Sequence, residues 1–525
     1  MKREIGLVGL TFVAVGAVLG SGWLFAPLLT SQQAGPASII AWAIGGVAIL
    51  LIALTFAEIS AMLPVPGGIA RVPQFSHGNV VAMAMGWSAW IGYNTTAPIE
   101  VAAMLRYLAP HVSWMSGNLS DGPTMALAVA LLALFTVINA IGVQFFIRIN
   151  STLTWIKIAI PVVIIVALLL SRFDTTNFTA AGGFSPFGLH GIFAAVSTGG
   201  IIFSYIGFRH AIDMAGEVRN PGRIIPLALI LSVIVCFLVY AGLQLAFIGG
   251  LPKEMLANGW DGASMNARLG PLAAIATSLG LMWLVAILYA GAIVGPFGNG
   301  LVSTGSNARL AYALARNGFF PKFLASLSKR DVPLSALLLN FVIGAAFLMA
   351  FPFQEIVQLN SCSVVLSFIV GPIAVVALRS LLPDQRRPLR LPAVKLIAAV
   401  AFVVSTLIIY WSGWDTIWQL GVVLLLGLVL FVIHARWLDP GPLDIREARW
   451  LLPYLVGIAL FSYFGTFGGT GRIPFGWDIV ALTIFSLAIF AWAVASRLPR
   501  ERCVEQINHI QSVIPDLEPK ESALI

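Results

Sequence analysis

Long apolar runs alternate with short polar stretches from the first residues almost to the last. Fourteen runs stand out, at 6–32, 38–63, 80–107, 123–142, 148–170, 190–214, 224–249, 270–304, 333–351, 355–380, 393–411, 415–437, 450–468 and 477–497. A helix needs about 20 apolar residues to cross a bilayer, and these runs have that length. They are continuous rather than alternating, which argues against an outer-membrane barrel. Hydrocarbon offers no partner to an unpaired backbone group, so each crossing is expected to be helical. The weakest separations are the short polar breaks after Phe351 and Trp411.

Composition agrees with this pattern. The 525 residues are 59% hydrophobic and only 10% charged, against about 25% charged in soluble domains. A chain so poor in charge cannot cover itself with polar surface, so an integral membrane protein in a lipid bilayer is expected. Cys236, Cys362 and Cys503 are too dispersed for a disulfide framework or metal cluster. The start, MKREIGL, leads into apolar sequence without a small-residue cleavage site and reads as a retained first span.

The net charge of +8 is better explained by cytoplasmic loops than by a nucleic-acid partner. With the N-terminus inside, only Arg106, Arg172, Lys253, Arg268 and Arg472 fall outside, leaving 25 of the 30 basic residues on the cytoplasmic side. One missed span would invert every later loop and destroy this bias. An even count with both ends cytoplasmic, in the cell's plasma (inner) membrane, is therefore expected. The segment 498–525 reads as a solvated cytoplasmic tail.

Two spans carry interruptions. Span one contains GAVLGSGWLF (16–25) and span six contains STGGIIFSYIGFRHAIDMAGE (197–217). Gly-Ser-Gly is among the poorest helix-forming triplets. Small residues at this depth either let helices pack closely or mark a broken helix. Breaks in corresponding positions of two halves point to a transporter binding site. Each interrupted span opens a possible five-helix unit, with the two units inverted. The expected division is 1–170 and 171–380 for the units, 381–497 for additional spans 11–14, and 498–525 for the tail. A break exposes amides that suit a carboxylate and carbonyls that suit an ammonium group or a cation.

These segments resemble the amino acid–polyamine–organocation transporters, which have the leucine-transporter fold. GSGWLFAP is similar to the family's first-helix motif, FAEISAMLPVPGGIARV (56–72) to its second-helix and loop signature, and FSYIGFRHAIDMAGEVRNPGRIIP (203–226) to its sixth-helix motif. SNARLAYALARNGFFPKFLASLSKRDVP (306–333) resembles the loop after helix eight. The likeness covers most of residues 1–390, and the last two spans exceed the common plan of twelve. It implies an all-α polytopic fold with a 5+5 inverted repeat, broken helices 1 and 6, and about four extra C-terminal helices. It also implies a site. The amides of Ser21, Gly22 and Trp23 would hold a substrate carboxylate. The carbonyls of Val18, Phe203 and Ile206 would accept from its ammonium group. Phe203 or Phe208 would pack on the substrate or gate it.

Ionisable residues at membrane depth are functional candidates by default. Lys157 lies in the inner half of span five. A lysine held away from water can give up its proton during a transport cycle, or it can snorkel to the headgroups. The resemblance implies the first role, proton coupling, at a place where sodium-coupled relatives bind Na⁺. Glu100, in span three, either relays protons or pairs with Arg106. Glu58 is expected to pair with a loop arginine. Arg209 stands where the family usually has an acidic or small residue. A fixed cation there would accept an acidic side chain, as the likeness of GSGWLF plus GFR to the aspartate–proton symporter branch also implies; alternatively Arg209 pairs with Asp213 one turn on. His210 either titrates near neutral pH or is simply packed.

The expected function is secondary active transport of an acidic or neutral amino acid, coupled to H⁺ rather than Na⁺, by alternating access of spans 1, 2, 6 and 7 against 3, 4, 8 and 9. An amino acid exchanger of the same fold is the alternative. An integral-membrane enzyme is the alternative of another class, but the six histidines are scattered and no phosphate loop or metal spacing is present. No cofactor is expected, and the sequence does not fix an oligomeric state.

Overall fold

The computed structural model describes residues 5–63, 68–115, 121–141, 143–214, 218–262, 270–434 and 442–513. Among them the chain is helical, with a lone β-bridge between Ile5 and Val218. The first ten helices are α1 Leu7–Val18, α2 Gly22–Ala34, α3 Ser38–Met62, α4 Gly68–Leu108, α5 Gly122–Ile141, α6 Val143–Ser171, α7 Gly188–Thr198, α8 Ile201–Tyr205, α9 Arg209–Asp213 and α10 Pro221–Gly250. The rest are α11 Pro271–Ser278, α12 Met282–Arg316, α13 Leu334–Ala350, α14 Phe353–Phe368, α15 Val370–Leu381, α16 Val394–Trp411, α17 Trp414–His434, α18 Leu451–Phe464, α19 Trp477–Ala495 and α20 Arg500–Val513.

The molecule is an all-α polytopic membrane protein. Among the described residues nine helices are long and apolar enough to cross a bilayer, or ten if the pair Gly188–Thr198 and Ile201–Ile212, bent by 49°, is one span. Leu7–Val18, Leu334–Ala350 and Leu451–Phe464 are apolar but shorter. The count is smaller than fourteen partly because broken and short helices fall below the ~20-residue requirement and partly because Gly22–Met62 counts once. The doubtful separations after Phe351 and Trp411 are real: α13 gives way to α14 through Phe351 and Pro352, and α16 to α17 through Ser412 and Gly413.

Two expectations need correction. The run 270–304 is not one span. It divides into α11 and α12 around Gly280, whose φ is +72°, and α12 continues to Arg316. The expected span 80–107 stands as a helix of its own, because non-helical backbone at Gly78 (φ 79°) separates it from the preceding part of α4. The tail after 498 is not simply solvated. Its α20 buries Cys503 and Gln506, and the Leu498 amide donates to the Ser76 carbonyl at 2.9 Å. An amphipathic segment beside exposed helix ends gains by docking its apolar stripe.

Burial sorts the apolar runs by position. The stretch Phe353–Leu381 is enclosed on all sides, whereas Trp414–Ile433 is mostly uncovered and faces the hydrocarbon. α4 packs on α12 and α14, and α10 packs on α1 and α3. The two helical interruptions lie inside this packed centre.

Candidate functional site

The first interruption falls at Leu19–Ser21. Leu19 leaves the helix with φ −80° and ψ 75°, and α2 restarts with Leu24 N–H donating to the Ser21 carbonyl at 3.0 Å. The second, expected within 197–217, bends at Gly199–Gly200, where Gly200 has φ +87°. Ile206–Phe208 then tighten into a 3₁₀ turn between α8 and α9. Glycine explains why the bend falls there, since it takes the left-handed conformation without steric cost.

The two interruptions touch. A Cβ on Gly207 would strike the backbone of Ala17 and Val18 at 2.5 Å, and one on Gly22 would strike the Ser204 side chain. Gly20 is constrained differently, since a Cβ there would run into Glu100 and Asn299. Absence of a side chain at Gly20 and Gly207 therefore lets two helices and two polar side chains converge.

Glu100 reaches the break from α4 and is fully buried. Its Oε1 accepts from Asn299 Nδ2 of α12 at 2.7 Å, and its carboxyl lies against Ser21. It does not pair with Arg106, whose guanidinium sits 4.5 Å from the Phe353 ring centroid. Lys157, only 3% exposed, donates from Nζ to the Gly16 carbonyl at 3.1 Å. It points into the protein and does not snorkel. Both charged groups attend the same interruption, one on each side.

Tyr240 of α10 supplies the remaining contact. Its hydroxyl lies 2.9 Å from the Val18 carbonyl oxygen and 3.1 Å from that of Ser204, so one proton serves both interruptions. Sequence reasoning missed Tyr240 and Asn299. Their signal was a polar tip inside an apolar run, weaker than a formal charge.

The other candidates separate. Trp23 packs against Gly291 and Gly295 of α12. Ile206 is buried. Phe208 is buried against Phe368, with ring centroids 5.1 Å apart. Phe203 is partly buried beside another apolar cluster. Arg209, 3% exposed, lays its guanidinium 3.1 Å from the Tyr93 ring centroid. Its Nη1 has no hydrogen-bond partner among the described residues. The side chain of Asp213, its expected partner, lies outside the described residues. His210 is buried. Glu58 pairs with an arginine, though one in the last turn of α15 rather than in a loop: Arg379 Nε and Nη2 both donate to it at 2.7 Å.

The amino acid permease family's sequence model matches residues 5–461. The chain is 35% identical over 511 residues to the glutamate/serine transporter AimA of Bacillus subtilis (strain 168), covering 94% of each chain. It is 36% identical over 513 residues to the aspartate-proton symporter of the same organism, covering 95% of this chain and 97% of the relative. Identity to that organism's branched-chain amino acid permease BcaP is 26% over 450 residues, covering 83% and 94%.

Proposed function

Because this chain belongs to the amino acid permease family, we propose that it is a proton-driven symporter of acidic amino acids. It is a multi-pass membrane protein and an amino acid transporter. The finer reading places it in the plasma membrane with both ends cytoplasmic, on the strength of the basic-residue bias.

The observation that carries the acidic cargo is Arg209. It is buried two residues beyond the contact of Gly207 with Val18, and no described carboxylate pairs with it. A buried cation is costly without a partner, and a substrate side-chain carboxylate supplies one. The names of two relatives, an aspartate-proton symporter and a glutamate/serine transporter, support the same cargo.

Proton coupling rests on which groups a bound amino acid would meet. Glu100 lies at the amide end of the break, and Tyr240 donates at the carbonyl end. An amino acid would bring its own carboxylate and ammonium to those places. Two carboxylates cannot both stay charged at one set of donors. Substrate entry therefore goes with protonation of Glu100 or its withdrawal from Ser21, while Lys157 carries the second exchangeable proton beside Gly16. Alternating access around the two interruptions, within an inverted 5+5 repeat, would then carry both across. No resident cofactor is required.

Uptake of labelled aspartate, glutamate and serine into proteoliposomes tests this. An inward proton gradient should concentrate aspartate and glutamate. Uptake driven by Na⁺ and indifferent to pH would overturn the coupling. Transport only against a preloaded amino acid would establish the exchanger instead.

A further inference from the structure

Away from the break, α4, α5, α12 and α13 enclose a cavity of about 20 Å³. Its wall sets polar side chains among apolar ones, deep within apolar helices. Asn94, Ser303, Asn307 and Asn340 line it, and each is at least nine-tenths buried. Asn307 Nδ2 donates to Asn94 Oδ1 at 3.0 Å, and Trp90 Nε1 donates to Asn340 Oδ1 at 2.9 Å. Four atoms remain without a hydrogen-bond partner: Asn94 Nδ2, Ser303 Oγ, Asn307 Oδ1 and Asn340 Nδ2. Buried polar groups are ordinarily satisfied, and lipid offers these none.

We infer that this cavity is a binding site for one water molecule, which joins α4, α12 and α13. The open valences match water in number and kind. Two amide N–H groups, from Asn94 and Asn340, donate to its oxygen. Its two protons go to Asn307 Oδ1 and Ser303 Oγ. The Asn340 orientation is fixed, because indole N–H can only donate and so requires Oδ1. Exchanging oxygen and nitrogen in both members of the Asn94–Asn307 pair still turns one donor and one acceptor inward. The volume suffices, since one water needs roughly 10–15 Å³ on this measure.

Charged occupants fit less well. Two amide N–H groups point at a cation, and no carboxylate lines the wall. The Arg209 guanidinium lies on the ring of Tyr93, another wall residue, and adds positive charge nearby. An anion would face the Asn307 carbonyl oxygen. Neutral water meets every group with the correct polarity.

An experimental map at water-resolving resolution, from protein prepared with sodium and again with sodium replaced by choline, tests the site directly. Density within hydrogen-bond distance of all four atoms is expected in both preparations. An empty cavity, or density lost without sodium, overturns the inference. Melting temperature in detergent gives a second readout through Asn94→Leu/Asn307→Leu and, as the milder variant, Ser303→Ala. If water is bound, both variants strand its remaining partners and melt lower by several degrees. If the cavity is dry, each variant removes unsatisfied groups, and an unchanged or raised melting temperature would overturn the proposal. Neither readout depends on the cargo or coupling ion.

Discussion

Glycine 20 shows how a single residue was half legible. Gly-Ser-Gly in an apolar run announced either tight packing or a break, and both are present. The helix stops there, and the missing side chain makes room for Glu100 and Asn299. Gly20→Ala should cost about 1–3 kcal/mol through overpacking, read as a lower melting temperature and loss of the aspartate-induced thermal shift. Arg209 was legible as a charge out of place, but its stacking on Tyr93 was not. Arg209→Gln removes a charge-assisted contact worth about 1.5–3 kcal/mol. Aspartate uptake should fall about tenfold or more, with serine uptake much less affected, in the proteoliposome assay. Lys157→Ala should abolish proton-driven accumulation while leaving aspartate binding measurable by calorimetry. Full accumulation in that variant would remove Lys157 from the coupling scheme.

Among elements, α3 is tied through Glu58 to the last turn of α15 and the chain that follows it. Glu58 is 1% exposed. It accepts two hydrogen bonds from Arg379 and one from the Leu391 amide at 2.8 Å, with Arg387 at 4.0 Å. The sequence foretold a loop arginine as partner from a charge near a span end but could not say which arginine, and the one that pairs lies in a helix. That choice depends on how the last turn of α15 packs on α3. Removing one member of a buried ion pair leaves the other uncompensated, at a cost of about 3–5 kcal/mol. Glu58→Ala should therefore lower thermal stability more than any single exposed-charge substitution, as scanning fluorimetry would show. Apolar periodicity located nearly every helix, yet it joined α11 to α12. Gly280 is invisible to a hydropathy pattern when its neighbours are apolar.

Across the whole molecule, the C-terminal helices are attached at both ends. Near α7, His190 stacks on Phe467 with centroids 4.3 Å apart. Asp478 gathers the Tyr410 hydroxyl at 2.5 Å and the Thr466 hydroxyl at 2.6 Å. At the other end Asp444 accepts from the Asn79 amide at 3.1 Å and pairs with Arg502 at 3.6 Å. Asp444→Ala should increase limited proteolysis within residues 68–80, while aspartate affinity stays unchanged because the break lies elsewhere. By itself the sequence determined the membrane setting, the helical class, most helix positions and the two interruptions. Each of these follows from local composition, because a solvent without hydrogen-bonding capacity forces apolar runs into helices. Only the tertiary structure decided that Glu100 faces Ser21 and not Arg106, that Tyr240 bridges the interruptions, and that the tail docks on α4. Those contacts join residues far apart in the chain. They depend on helix rotation and close approach, which hydropathy does not encode.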